Sequence, residues 1–223
     1  MPETPRPKFD DLKAKQRRLR DGFPEPLGLR VHRAISWLGR AEQESDDLDA
    51  AFIFWWIAFN AAYAAEAPAS VAGSERSNFA AFFEKLIALD ATNRIYGEIW
   101  TRFPDSIRVL LDNKFVFQPF WSHQNGAEGY ADWEDRFARG RDVLHKALAR
   151  KDTKLILSTL FDRLYVLRNQ LLHGGATWNS SVNRGQVRDG TRILASLVPI
   201  FVDLMLDNPG LDWGVPYYPV VDG

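Results

Sequence analysis

One segment in the first third of the chain is apolar on every side. Residues 50–65 read AAFIFWWIAFNAAYAA, and Asn60 is the one side-chain amide among them. A helix that spans a bilayer needs about 18 or more consecutive apolar residues, so this segment of sixteen is too short. A helix that is apolar all round and too short for a membrane belongs at the centre of a globular core. We therefore predict a buried central helix and no membrane partner.

A second segment has the most regular helical pattern of the chain. Thr153 can cap a helix there, and Gly174–Gly175 can end it, as glycine does just beyond a helix C-terminus. Leucines recur between these points in alternating steps of three and four residues, a seam typical of helical bundles. They are Leu157, Leu160, Leu164, Leu167 and Leu171.

The other helical signals complete a bundle. A long helix is predicted from residue 181 to 207, with Pro199 expected to kink it. Helices are also predicted at residues 29–41, from Ser77 onward, and at 90–100, 104–112 and 131–150, whereas 114–130 carries Pro and Gly without a clear period. Because strand signals are few, we predict an all-α, up-and-down helical bundle with extra short helices and an irregular aromatic loop.

Charge and composition divide the chain and exclude several kinds of chemistry. Residues 1–28 are predicted to be a basic, Pro-containing arm, 29–210 the helical domain and 211–223 a C-terminal tail. The basic run is either a solvated helix face or an arm that follows a phosphate backbone. With 28 Lys and Arg against 29 Asp and Glu, any polyanion must be met by a local patch. Without cysteine there is no disulfide, thiol nucleophile or Cys-ligated metal.

The four histidines do not have the spacing of a helical zinc site, and the nucleotide-binding and serine-hydrolase loop motifs are missing. We therefore predict no metal and no cofactor. The chain also starts without an apolar signal segment, and we expect a cytoplasmic location.

One motif stands at the end of the leucine-seamed helix. Arg168 and Asn169 are followed by three residues, then by His173 and the glycine pair. This pattern resembles that of the HEPN superfamily, whose ribonucleases carry Arg, a polar residue, three further residues and His. The segment FWWIAFNAAY at residues 54–63 is similar to the aromatic core helix of Apea-like members. The resemblance covers most of residues 29–210.

The resemblance implies a metal-independent endoribonuclease that builds a composite site from two motifs, and hence a homodimer. It also implies a toxin or antiviral defence effector under the control of an antitoxin or other regulatory protein. Some members carry a Tyr two residues after the motif His as a target of nucleotide transfer. Gly175 stands there in this sequence, so a nucleotidyltransferase partner is not supported.

The chemistry of these side chains fits RNA cleavage independently. The 2′-hydroxyl of RNA is an internal nucleophile that needs only deprotonation to attack the adjacent phosphate. An imidazole, with an unperturbed pKa of about 6.5, suits that proton transfer. A guanidinium can contact two phosphate oxygens and stabilise the transition state. We therefore assign His173 as general base or acid, Arg168 as the phosphate contact and Asn169 as the orienting group.

Helix geometry sets a condition on this assignment. Arg168 and His173 lie about 140° apart around a straight helix and about 7.5 Å apart along its axis. Two arrangements can bring these side chains together: the last turn of the helix unwinds into the glycine pair, or Arg168 and His173 work with the same residues of a second subunit. We predict a homodimer with both motifs in one cleft. Alternatively, Arg168 and His173 only stabilise the C-terminus of the helix. The protein would then be a non-catalytic HEPN-like module that dimerises or binds nucleotide or RNA.

Two further predictions concern residues outside the motif. Arg184, Arg188 and Arg192 recur every four residues along the last helix, as either an RNA-binding ridge or a solvated face. Asn60 needs hydrogen-bond partners within its apolar helix. We expect it to give structural support by bonding another helix near Arg168 and fixing the motif helix in register.

Overall fold

The structure, a computed structural model, describes residues 6–64 and 75–220, without the side chains of 75–78. It is an all-α bundle, as the sequence predicts. The α-helices of the described residues are α1 Phe9–Leu19, α2 Glu25–Glu42, α3 Leu48–Tyr63, α4 Glu75–Leu89, α5 Arg94–Gly97, α6 Pro104–Leu111, α7 Gln118–Gln124, α8 Trp133–Arg150, α9 Thr153–Leu172 and α10 Arg184–Asp207. Among them, none is both long and apolar enough to cross a membrane.

Helix α3 is the predicted central helix. Asp47 caps its N-terminus, because one carboxylate oxygen accepts the backbone N–H groups of Asp49 and Ala50, each at 3.0 Å. Helices α2, α10 and α9 pack around it. The ring of Phe59 is fully buried, with its centroid 4.5 Å from that of Phe161 on α9. The all-round apolar pattern of this segment is thus matched by neighbours on several sides.

Helix α9 carries the leucine seam into the core. Leu157, Leu160, Leu164 and Leu167 are all fully buried. The helix ends in a Schellman motif: Gly174 has φ of +68°, and the N–H of Gly175 donates to the carbonyl of Gln170 at 2.7 Å. The predicted role of the glycine pair is confirmed, and the end of α9 is fixed at His173, which occupies the C-cap position.

Helix α10 approaches α3 and α9 closely at one residue. A Cβ atom on Gly190 would lie 2.8 Å from a ring carbon of Phe52 and 2.9 Å from a methyl carbon of Leu164. Only glycine allows this approach without displacement of both neighbours. The helix begins at Arg184, three residues later than predicted, and continues through Pro199.

Both flanking segments are packed on the helical domain. Leu12 of α1 is fully buried, and Lys15 lies 2.5 Å from a carboxylate oxygen of Asp203 on α10. At the other end, the fully buried Arg30 of α2 donates to the carbonyls of Gly214 and Val215, both at 3.0 Å. Burial, partly offset by Asp212, lowers the pKa of Arg30 to about 10, so its guanidinium stays charged at neutral pH.

The aromatic stretch at 114–130 is more ordered than its composition indicates. It forms a single 3₁₀ turn at Lys114–Val116, and residues 118–124 form the helix α7. Pro119, which favoured a loop in the sequence, stands in the first turn of α7, where its missing N–H breaks no hydrogen bond. The prediction of an irregular loop is therefore wrong for this part of the stretch.

Candidate functional site

The three motif residues lie together at the C-terminal end of α9 and differ in exposure. Arg168 and Asn169 are half-buried in the last turns of the helix, whereas His173 is exposed. The Nη1 group of Arg168 donates to the side-chain oxygen of Asn169 at 2.9 Å, and its guanidinium carbon lies 5.9 Å from the ring centroid of Tyr165. Asn169 therefore orients Arg168.

The helix stays regular through the motif. The backbone N–H of His173 donates to the carbonyl of Asn169 at 2.9 Å, which is an ordinary α-helical bond. The glycine cap begins only after His173. Of the two alternatives for bringing Arg168 and His173 together, unwinding of the last turn is thus not found, and the two residues remain about 140° apart around the helix.

A different neighbour flanks each side of the helix end. His173 shares a face with Gln170, three residues earlier, and the side-chain amide of Gln170 donates to the carbonyl of Phe115 at 2.5 Å. Arg168 lies on the other side, near Tyr165, whose ring centroid is 6.1 Å from that of Trp56 on α3. On one side of the helix end Gln170 thus contacts the aromatic turn at Lys114–Val116, and on the other side Tyr165 lies between Arg168 and α3.

The loop that follows the motif is held by two carboxylates at the start of α3. Asp47 accepts the indole N–H of Trp178 at 2.9 Å. Asp49 accepts the backbone N–H of Asn179 at 2.8 Å and pairs with Arg184 at 2.7 Å. The hydrogen bond from the N–H of Ala50, reinforced by Trp178, lowers the pKa of Asp47 below its usual value. Both carboxylates therefore fix the loop.

The sequence did not predict that Asp47 and Asp49 hold this loop. Asp47 also caps the N-terminus of α3. The contacts of both residues to the loop join residues about 130 positions apart in the sequence, and no local pattern signals such a contact.

Three large apolar side chains are exposed within the short stretch that carries His173. The exposed fraction is 50% for Leu172, 75% for Trp178 and 89% for Val182. We call these three side chains the motif patch. Since the indole N–H of Trp178 is already bonded to Asp47, its ring offers a partner only apolar and π contacts.

The arginines of α10 have different surroundings. Arg184 is committed to Asp49, and the Nε of Arg188 lies 3.2 Å from Asp189. Arg192 is exposed. The predicted spacing along one helix is present, but two of the three charges are compensated within the chain.

Asn60 does not make the expected contact. It is half-buried, and its side chain forms no hydrogen bond to another described residue. Because it lies in the last turn of α3, its amide keeps access to water, and the bond to the neighbourhood of Arg168 is not found.

The remaining titratable groups do not form a second centre among the described residues. No group of three or more metal-ligating side chains lies together in the parts of the chain that the structure describes. His32, His123 and His145 are exposed, and His145 lies 3.6 Å from Asp112.

Comparisons of the chain with protein-family models, with curated proteins and with solved structures gave no match.

Proposed function

We propose that the protein is a metal-independent, HEPN-type endoribonuclease with Arg168, Asn169 and His173 in its site. The observation that carries the proposal is the arrangement at the end of α9. An exposed imidazole stands about 1.4 helical turns beyond a guanidinium that Asn169 orients. The toxin or antiviral role, the regulatory partner and the cytoplasmic location belong to the same proposal and rest on the sequence resemblance.

The reaction needs a base, an acid and a positive charge. A base takes the proton of the 2′-hydroxyl, and the 2′-oxygen forms a bond to the adjacent phosphorus. The bond from phosphorus to the 5′-oxygen of the next nucleotide breaks, and an acid protonates that oxygen. The products are a 2′,3′-cyclic phosphate and a 5′-hydroxyl. Arg168 stabilises the charge on the phosphate oxygens, and His173 carries the proton transfers.

A second copy of the chain resolves the geometry. One His173 does not readily act as base and acid in the same step, and Arg168 of the same chain points to another side of α9. A twofold dimer brings two of each residue to one cleft. We assign the motif patch to the contact surface of this dimer, because its three exposed apolar side chains lie within nine residues of His173 in the sequence.

A cleavage assay in EDTA tests the proposed activity. We expect the purified protein to cut single-stranded RNA in EDTA and to leave 2′,3′-cyclic phosphate ends. The double variant Arg168→Ala/His173→Ala should be inactive, because it lacks both the proton carrier and the phosphate contact. Gel electrophoresis of end-labelled RNA measures cleavage, and phosphatase sensitivity identifies the ends.

The matched control is His145→Ala, which removes an exposed histidine of α8 outside the motif. It should cut like the wild type. Equal cleavage by the wild type and the double variant would assign the activity to a contaminant and contradict the proposal.

The dimer gives a separate expectation. Leu172→Glu combined with Val182→Glu should raise the dimer dissociation constant at least about tenfold, or about 1.4 kcal/mol, because two charges would enter an apolar contact. Sedimentation velocity over a concentration series measures this change. Val109→Glu, at an exposed apolar residue of α6, should leave the constant unchanged. A wild type that is monomeric at every concentration would refute the dimer.

A second candidate is a non-catalytic HEPN-like module that dimerises or binds nucleotide or RNA. The observation that favours it is the state of Arg168 within a single chain. Its Nε atom is buried, and Nη1 is already bonded to Asn169, as expected of a residue that stabilises the helix end. RNA binding without cleavage in the same assay would favour this module.

A further inference from the structure

Helix α8 carries a line of basic side chains that the motif does not use. Relative to Arg139, an ideal helix places Lys146 at about −20° and Arg150 at about +20°, so the three share one narrow face about 16 Å long. All three residues are exposed. We call Arg139, Lys146 and Arg150 the basic ridge.

The basic ridge is free to meet a partner. Lys146 and Arg150 form no ion pair with any carboxylate in the described segments. Arg139 lies 3.7 Å from Asp132, whose carboxylate is shared with Arg136 at 2.8 Å. Asp135 and Asp142 lie beside the ridge, at about −40° and −60°.

The apolar side of α8 is used inside the protein. Leu144 and Ala147 are buried, and the ring of Phe137 lies 5.2 Å from that of Phe117. A helix that lies on a membrane needs its apolar face outward. The exposed ridge therefore fits a polyanion with a regular backbone better than a lipid surface.

Aromatic contacts connect the start of α8 with the motif. The ring of Trp133 lies 5.0 Å from that of Phe120, which in turn lies 5.5 Å from that of Phe115. The carbonyl of Phe115 accepts the amide of Gln170, one turn before His173. A series of contacts through three rings and one hydrogen bond thus leads from the N-terminal end of α8 to the end of α9, and the ridge extends from Arg139 to Arg150 at the C-terminal end of α8.

We propose that the basic ridge binds the phosphate backbone of single-stranded RNA and guides it to the motif. This inference rests on the proposed function, since it takes RNA as the ligand. A chain with a net charge of −1 needs such a local patch to hold a polyanion. Two of the ridge's three charges, Lys146 and Arg150, have no ion-pair partner among the described residues, in contrast to Arg184 and Arg188.

The test compares two charge reversals of equal size. Lys146→Glu/Arg150→Glu changes the ridge, and Arg108→Glu/Arg141→Glu changes two exposed arginines outside it. Both pairs are made in a His173→Ala background so that the probe, a fluorescent 20-nucleotide oligouridine, stays intact. Fluorescence anisotropy at several salt concentrations gives the dissociation constants.

We expect the ridge variant to bind at least tenfold more weakly at low salt. The negative slope of log K against log salt should become shallower by about 1.4, since each lost phosphate contact of a single strand removes about 0.7 from its magnitude. The control pair should change affinity less than threefold. Equal affinities of the two variants would overturn the proposal, as would ridge-dependent binding to phosphatidylserine vesicles without binding to the RNA.

Cleavage by proteins that retain His173 separates this inference from the proposed function. Ridge-dependent binding by a protein that never cuts RNA would support the ridge and contradict the nuclease. Cleavage that persists while both variants bind equally would support the nuclease and overturn the ridge.

Discussion

Phe59→Ala is expected to lower the free energy of unfolding by about 3–5 kcal/mol, the range found when a buried Phe is truncated. The ring of Phe59 lies at the centre of the aromatic core. The ring centroids of Phe161 and Tyr63 lie 4.5 and 5.2 Å away, and that of Trp56 lies 5.4 Å away. Alanine would leave a cavity at the junction of α3 and α9, and the surrounding rings are too tightly held to fill it. Urea denaturation followed by circular dichroism measures the change.

Two controls separate cavity formation from the loss of any aromatic ring. Phe59→Leu keeps most of the volume and should cost clearly less than Phe59→Ala. Phe115→Ala removes a ring that is 49% exposed and should cost least. If Phe59→Ala unfolded at the same urea concentration as Phe115→Ala, the central position of Phe59 in the core would be contradicted.

The central elements of the fold could be predicted because their signals are local. Helix α3 is apolar on all sides, and its capping residue Asp47 immediately precedes it. Helix α9 has a leucine seam and ends at Gly174. Helix α7 was missed because Pro119 is compatible both with a loop and with the first turn of a helix. Packing against Trp133 decides between them, and the sequence pattern does not encode that contact.

The same difference between local and long-range signals holds for the candidate site. Its motif is contiguous, so the sequence alone placed Arg168 and His173 at one helix end. The anchoring of the following loop on Asp47 and Asp49 could not be predicted, since these contacts join residues about 130 positions apart in the sequence. The ion pair with Asp49 also occupies Arg184, one of the three arginines of α10 that were predicted to bind RNA. The basic ridge of α8 was overlooked because its register has meaning only once the buried side of the helix is known.

The largest effect on activity is expected from single substitutions in the motif. His173→Ala and Arg168→Ala should each lower the rate of RNA cleavage by about 10²–10⁴, the usual contribution of a positioned proton carrier or charge-stabilising group. His173 is exposed, so His173→Ala should lower the unfolding midpoint little, whereas Arg168→Ala removes a half-buried side chain and should lower it more while the protein stays folded. Single-turnover cleavage of a labelled RNA measures the rates, and urea denaturation shows whether the variants are folded.

A mixture of these two variants tests whether the site is shared between subunits. Neither variant carries both groups, so a site formed within one chain would stay inactive after mixing. In a composite site, a mixed dimer contains one Arg168 and one His173 across the same cleft, so it regains the phosphate contact and one of the two proton carriers, with water in the other role, and recovers part of the wild-type rate. We therefore expect an equimolar mixture to cut RNA at least tenfold faster than either variant alone after the subunits have exchanged. Introducing Leu172→Glu/Val182→Glu into both variants should abolish this recovery, because the motif patch would no longer join the chains. A mixture that dimerises but stays as inactive as its components would contradict the shared site.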